Sequence, residues 1–203
     1  MQRFFSDIIG AQVIAKRQKL LIGKVSDIII NPADGKLVGL LIEVGGKNRK
    51  IKALAEKDIF GFGQGLIIID DYQALGDIND IVRIKKIFDE EIKIIKNKVY
   101  TVSGFYLGKV RDYTLDLAEK KLARLYINPK CFGQLTSDLV INSKMIVTIK
   151  KDRITVLDGA VKTKDKSLKV GIRVKAPTAD WKRYFDIRHK KMLKYLIHET
   201  NYN

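Results

Sequence analysis

The sequence predicts a mainly β protein: two tandem small β-barrels followed by a basic C-terminal strand and α-helix. Three observations carry this. LLIGKVSDIII at residues 20–30 returns as FYLGKVRDYTL at 105–115. Apolar runs of strand length alternate with Gly, Asn, Asp and Pro, the residues that punctuate β structure. Helical spacing of apolar residues shows only between the repeats and at the C-terminus.

Laid without gaps from residue 20 on 105 to 42 on 127, the copies share nine identities in 23 positions. They are Gly23/Gly108, Lys24/Lys109, Val25/Val110, Asp27/Asp112, Ala33/Ala118, Lys36/Lys121, Leu37/Leu122, Leu40/Leu125 and Ile42/Ile127. A one-residue shift upstream also matches IIGAQV (8–13) with IIKNKV (94–99). Self-similarity at a fixed long offset marks two copies of one folding unit. The chain is therefore divided into a first barrel (1–75), an ordered connector (76–92), a second barrel (93–160) and a basic tail (161–203).

Within the first copy, Ile28 to Ile30, Asn31-Pro32-Ala33-Asp34-Gly35 and Leu37 to Ile42 read as strand, turn and strand. Asp34-Gly35 supplies the positive φ of a tight hairpin. The second copy has Asp116 to Lys120 there with no glycine, so its turn is expected to be built differently. Gly23 and Gly108 are expected just ahead of strands, where a missing side chain lets the backbone bend or approach a neighbour. Asp27 and Asp112 stand between apolar residues and are expected to hydrogen-bond backbone amides at a barrel edge. The repeated residues Gly23, Lys24, Val25, Asp27, Gly108, Lys109, Val110 and Asp112 are thus read as structural. Each copy closes with an apolar strand, Leu66 to Ile69 and Ile154 to Leu157.

The order SDIIGAQV, LLIGKVSDIIINPADGKLVGLLIE, IKALAEKDI and GLIIID resembles the PRC-barrel domain. That domain is the small β-barrel named after a photosynthetic reaction-centre subunit and found also in a ribosome maturation factor. KVYTVSGFYLGKVRDYTLDLAEKKLARLYIN through KMIVTIKKDRITVLD is similar to it as well. The resemblance covers residues 5–72 and 93–158. It implies an adaptor that docks on other proteins or on RNA-protein particles, and it brings no catalytic residues to carry over.

In the connector, Ile81, Ile84, Ile87/Phe88, Ile92 and Ile95 lie near helical spacing. With no Pro- or Ser-rich linker, the barrels are expected to pack together rather than swing on a tether. In the tail, SLKVGIRVK (167–175) alternates apolar residues with Lys169, Arg173 and Lys175, as a strand with one basic face does. Val161 to Thr163 is a candidate partner strand for it. Ala176-Pro177-Thr178 opens a helix expected to run to about His198, with Pro at its start and Thr178 or Asp180 as cap. Trp181, Tyr184/Phe185, Met192 and Tyr195/Leu196 form its apolar stripe. Lys182, Arg183, Lys190, Lys191 and Lys194 lie largely off that stripe. Three roles stand open for this basic face: solvated while the helix packs on the second barrel, contact with nucleic acid, or contact with an anionic membrane surface.

Charge narrows the partners. The 203 residues carry a net charge of +16, and residues 161–203 hold half the excess. A field of that sign favours nucleic acid, anionic membrane or an acidic protein. The N-terminus lacks a signal-peptide core, and the longest uncharged run, Ile59 to Ile69, is far shorter than the roughly 20 residues of a membrane-spanning helix. One cysteine, Cys131, leaves no disulfide framework and too few thiolates for a metal site, so a reducing, cytoplasmic setting is expected.

Sharper chemistry finds little footing. Gly61-Phe62-Gly63-Gln64-Gly65 is followed by a β-type run, whereas a phosphate loop leads into a helix. His189 and His198 are nine apart and have no companion ligands for a metal. Asp89-Glu90-Glu91 lies beside Lys85, Lys86 and Lys93, an arrangement suited to surface ion pairs. No nucleophile triad or spaced carboxylate set stands out. The expectation is a non-catalytic protein with no cofactor, metal or small-molecule substrate. Its partner is expected to be a protein or RNA-protein particle, plausible as ribosome-associated, with RNA reached through the tail. A scaffold held peripherally on an anionic membrane is the alternative.

Overall fold

A computed structural model describes residues 1–45, 48–129 and 139–160. Fourteen strands are described: β1 (Gln2–Phe4), β2 (Gln12–Ala15), β3 (Leu20–Ile30), β4 (Leu37–Val44), β5 (Lys50–Ala55), β6 (Ile59–Phe62), β7 (Leu66–Ile69) and β8 (Leu75–Gly76), then β9 (Lys98–Thr101), β10 (Tyr106–Asp116), β11 (Lys121–Pro129), β12 (Leu139–Asn142), β13 (Ile146–Ile149) and β14 (Arg153–Val156). Two α-helices, α1 (Phe5–Ile8) and α2 (Val82–Asp89), precede the two copies. The strands form two sheets within one compact unit spanning residues 1–163.

The sheets repeat one topology. The first runs β6-β7-β2-β3-β4-β5-β8 and the second β12-β11-β10-β9-β14-β13, so β2 to β7 match β9 to β14 one for one. In both, the opening strand pairs in parallel with the last, β2 with β7 and β9 with β14, while the other pairs are antiparallel. This parallel pair brings the last strands of each copy back beside its opening strand and curls the sheet, whose ends are β6 and β8 in the first copy and β12 and β13 in the second.

The interiors repeat as well. Val13, Val25, Leu40, Ile42, Leu54, Ile67 and Ile69 are buried in the first copy, as are Val99, Val110, Leu125, Ile127, Ile141, Ile154 and Val156 at the same positions of the second. Branched aliphatic side chains suit a pleated, enclosed surface, and burying each one fully stabilises by about 1.5–3 kcal/mol.

Register breaks recur in the same places. One residue is skipped between Val25 and Asp27 and between Val110 and Asp112, so Ser26 and Arg111 are bulged residues. Further breaks pass over Ile22 and Leu107, and over Phe60 and Val147. Bulges bend a strand and raise its twist, which a small, strongly curled sheet requires.

Four expectations change. Gly23 and Gly108 lie inside long strands, not ahead of them. The second turn follows the first: Asn31 accepts from the Ala33 amide at 3.1 Å and Asp116 from the Ala118 amide at 2.9 Å. Gly35 has φ 72°, and Lys120, its counterpart, adopts φ 48°. The lysine is fixed there by an ion pair to Glu56 and by its carbonyl, which accepts from the Leu37 amide at 2.8 Å. The connector helix spans only Val82–Asp89, because Glu91 turns to φ 51° and ends it. Finally, β1 joins the second sheet, pairing Gln2–Phe4 with Thr114–Asp116 on β10, although it opens the chain.

The hairpin tips of the two copies meet in a reciprocal contact. The Leu37 amide donates to the Lys120 carbonyl and the Leu122 amide donates to the Gly35 carbonyl, both at 2.8 Å. Between them, Lys36 bridges Lys121, the same residue of the other copy. A contact in which each patch meets its own duplicate is isologous, the arrangement of a two-fold dimer. The leading helices cross over too. Phe5 of α1 packs on Tyr113 of the second sheet with ring centroids 5.0 Å apart. Ile84 of α2 lies buried among Ile29, Leu41 and Ala53 of the first.

Candidate functional site

The repeated Gly-Lys-Val-x-Asp residues are occupied by the fold. A Cβ at Gly23 would stand 2.1 Å from the Glu43 carbonyl oxygen, and one at Gly108 would stand 2.1 Å from that of Asn128. Val25 and Val110 are core residues. Asp27 and Asp112 follow the bulge, and each accepts a hydrogen bond from the next backbone amide, Ile28 and Tyr113, at 2.8 Å. Asp112 also accepts from the Ser6 hydroxyl at 2.7 Å. Burial pushes its carboxyl above the ordinary range, opposed by the Ser6 and Tyr113 hydrogen bonds. Both aspartates sit on central strands rather than at an edge. Lys24 and Lys109 alone of the repeated residues point outward into solvent.

Other ionisable groups are engaged in turns. The Gln73 amide holds Asp71 below its ordinary value, the Glu119 and Ala118 amides do so for Asp116, and Ser103 does so for Asp158. Lys85 pairs with Asp89 at 2.6 Å and Lys151 with Glu91. Burial lowers the Lys93 ammonium. Among the described residues no group of three or more His, Cys, Asp or Glu is placed to hold a metal ion. Gly63 to Gly65 form the turn from β6 to β7 beside an open depression of about 270 Å³, where Arg3 and Asp7 bring opposite charges. Among the described residues no helix is long and apolar enough to cross a membrane.

The tail cations Lys169, Arg173, Lys175, Lys182, Arg183, Lys190, Lys191 and Lys194 lie outside the described residues, as do Cys131, His189, His198 and the expected tail hairpin and helix.

What the sequence reading missed is the outer face of each sheet. Directly paired residues share a face, and alternate residues along a strand return to it. Val13, Ile67 and Gly23 face inward, so the flanking rows face out. In the first copy these rows are Leu66–Gln12–Lys24–Glu43 and Ile68–Ile14–Leu21. In the second they are Arg153–Lys98–Lys109–Asn128 and Thr155–Tyr100–Tyr106.

On the first face the row Ile68–Ile14–Leu21 is aliphatic, with Leu21 57% exposed and the two isoleucines half-buried. Phe60, 64% exposed beside it, carries the Lys16 ammonium 4.5 Å from its ring centroid. The second face is cationic and aromatic. The Tyr100 and Tyr106 rings lie 5.1 Å apart, the Arg153 guanidinium rests 4.6 Å from the Tyr100 centroid, and Phe105 beside them is 72% exposed. Aligning the closing strands at their own offsets would have shown the divergence in sequence: Gln12 against Lys98, Ile14 against Tyr100, Leu66 against Arg153.

Comparison with known proteins agrees with this duplication. The family model described as the PRC-barrel domain matches residues 1–85 and again 92–162. No curated protein matches the chain.

Proposed function

The chain belongs to the PRC-barrel family, and from that premise we propose that it is a non-catalytic adaptor that binds an RNA-protein particle of the ribosomal kind. The observation that carries the reading is the aliphatic row on the outer face of the first barrel, exposed at Leu21 and at neighbouring Phe60 and half-buried at Ile14 and Ile68, in a chain of net charge +16. Exposed apolar strips with polar rims serve protein contact. A strong positive field draws in phosphate polymers. The two together suit a particle that presents protein and RNA side by side. The cations of residues 161–203 would reach phosphates near the docked barrel.

Supporting this, the shifted carboxyls Asp71, Asp112, Asp116 and Asp158 accept from backbone amides of turns and strands, and Asp112 also from the Ser6 hydroxyl, so they are engaged within the fold. A cytoplasmic location follows from the reading.

The test is recovery of ribosomal subunits or other RNA-protein particles on the tagged full chain at low salt. The absorbance ratio at 260 and 280 nm is read before and after nuclease. Expected is co-purification of RNA with defined proteins, dissolving steeply as salt rises. Material free of RNA that floats with anionic liposomes, and ceases to float when 177–203 is deleted, would replace this reading with a membrane-bound scaffold.

A further inference from the structure

We propose that the outer face of the second barrel, formed by Lys98, Tyr100, Tyr106, Lys109 and Arg153, binds single-stranded RNA. The inference rests on the RNA-particle reading above and assigns the site within it.

The first argument is electrostatic. Lys98 stands directly opposite both Lys109 on β10 and Arg153 on β14. Neighbouring strands lie about 4.8 Å apart, so three cations crowd within roughly 10 Å. Like charges directly opposite on a sheet are destabilising. Elsewhere the fold pairs its cations: Arg17 with Asp70 and Asp71, Arg49 with Glu43, Lys52 with Asp77. None of the three facing cations has an acidic partner among the described residues. The duplicate row in the first copy holds Leu66, Gln12 and Lys24 beside Glu43, so the fold does not require the cluster. A polyanion lying across the strands relieves the repulsion.

The second argument is the shape of the apolar partner. The next row presents the Tyr100 and Tyr106 rings, with Arg153 stacked on Tyr100 and Phe105 exposed at the strand end. In the first copy Ile14 and Leu21 occupy the same places. Flat rings beside a row of cations suit a strand whose bases are splayed for stacking and whose phosphates run alongside. A lipid surface offers anionic charge and no bases to stack, so the tyrosine pair with its overlying guanidinium favours RNA, and vesicle flotation of the transplant separates the two.

The test uses the full chain and fluorescein-labelled oligouridine, read by anisotropy across a salt series. One variant transplants the first barrel's own residues into the second: Lys98→Gln, Tyr100→Ile, Tyr106→Leu and Arg153→Leu. The control, Lys24→Gln with Lys50→Gln, removes the same net charge from the first barrel.

The transplant is expected to weaken binding by about five- to 150-fold through lost stacking of even one base. It should lower the salt slope by about 1.4, at 0.7 for each of two cations. The control is expected to bind within about twofold of the parent.

Equal losses in transplant and control, or oligouridine binding by the transplant as tight as the parent's, overturns the assignment of this face. So does a transplant that loses flotation on anionic vesicles while keeping RNA. If the parent itself binds no RNA and recovers no particle, the broader reading fails instead. A measurement that does not depend on the transplant folding is photocrosslinking of 4-thiouridine RNA to the parent. Crosslinks within residues 98–109 support the site, and their absence in a crosslinking parent refutes it.

Discussion

Gly23→Ala tests whether the repeated glycine exists for close strand approach. A Cβ there would lie 2.1 Å from the Glu43 carbonyl oxygen, 3.0 Å from its carbon and 3.3 Å from Ile42 Cγ2. The first two atoms are backbone of the paired strand β4, so relief requires β3 and β4 to move apart. Gly23 pairs with Val44 in that ladder, and the neighbouring interior residues Val25 and Ile42 are fully buried. Forcing extra volume into a packed core costs about 1–3 kcal/mol, and a clash with main chain belongs at the upper end. At about 2–4 °C per kcal/mol for a unit of this size, the expected fall in melting temperature is roughly 6–12 °C for 3 kcal/mol. Gly61→Ala is the internal control, since a Cβ there meets nothing within 4 Å and its φ is ordinary. It should change stability by no more than about 0.5 kcal/mol. Calorimetry or circular dichroism melts of both variants decide the matter. A Gly23→Ala melt indistinguishable from that of Gly61→Ala would refute the reasoning.

Ile84→Ala, which empties a fully buried site between α2 and Ile29, Leu41 and Ala53, should lower the unfolding free energy by about 2–5 kcal/mol, read as a shifted urea midpoint. Phe5→Ala removes the ring that packs on Tyr113 and should cost about 3 kcal/mol; an unchanged midpoint would mean that the N-terminal segment does not support the second sheet. The Asp112 carboxyl is raised by burial, so its neutral form is favoured in the fold. Its contribution is full below the ordinary value of 3.8 and is lost as pH rises through the raised one. Asp112→Asn, which keeps an acceptor for the Tyr113 amide, should therefore abolish that loss and gain stability relative to the parent between acid and neutral pH, as measured by melts across the series.

Much of the fold could be read directly because its signals are local. Strand, Asn- or Asp-led turn and strand follow from residues 28–42, and their return 85 positions later gives the second barrel. Long-range consequences were hidden. Gln2–Phe4 carries no mark that sends it to β10 rather than to its own copy. The bulged residues, Ser26 and Arg111, differ in type because a bulge is a backbone feature that does not prescribe the residue. Lys120 shows how tertiary contacts hold a non-glycine residue at positive φ, which composition alone argued against. The cationic face was illegible for a related reason: its three cations lie far apart in sequence and meet only through the pairing of β10, β9 and β14. Of the five residues that form it, only Lys109 had drawn notice, and for its place in the repeat.

The two copies keep what folding needs and differ where folding is indifferent. Interior aliphatics, bulge positions, the close-approach glycines and the aspartates that accept from the next backbone amide recur at matching sites, and the hairpin tips meet through their own duplicates. On the outer faces neither packing nor hydrogen bonding dictates the residue, so drift alone would scatter charges of both signs. The second copy instead sets Arg153, Lys98 and Lys109 side by side against their mutual repulsion and backs them with paired tyrosines. The first copy places aliphatic residues at the positions of those tyrosines. A single barrel offers one such surface, whereas a duplicated barrel locked through its turns holds two of unlike chemistry in one compact unit. On the proposed reading, one copy would grip protein and the other phosphate polymer, which would give a reason for keeping two barrels in one chain.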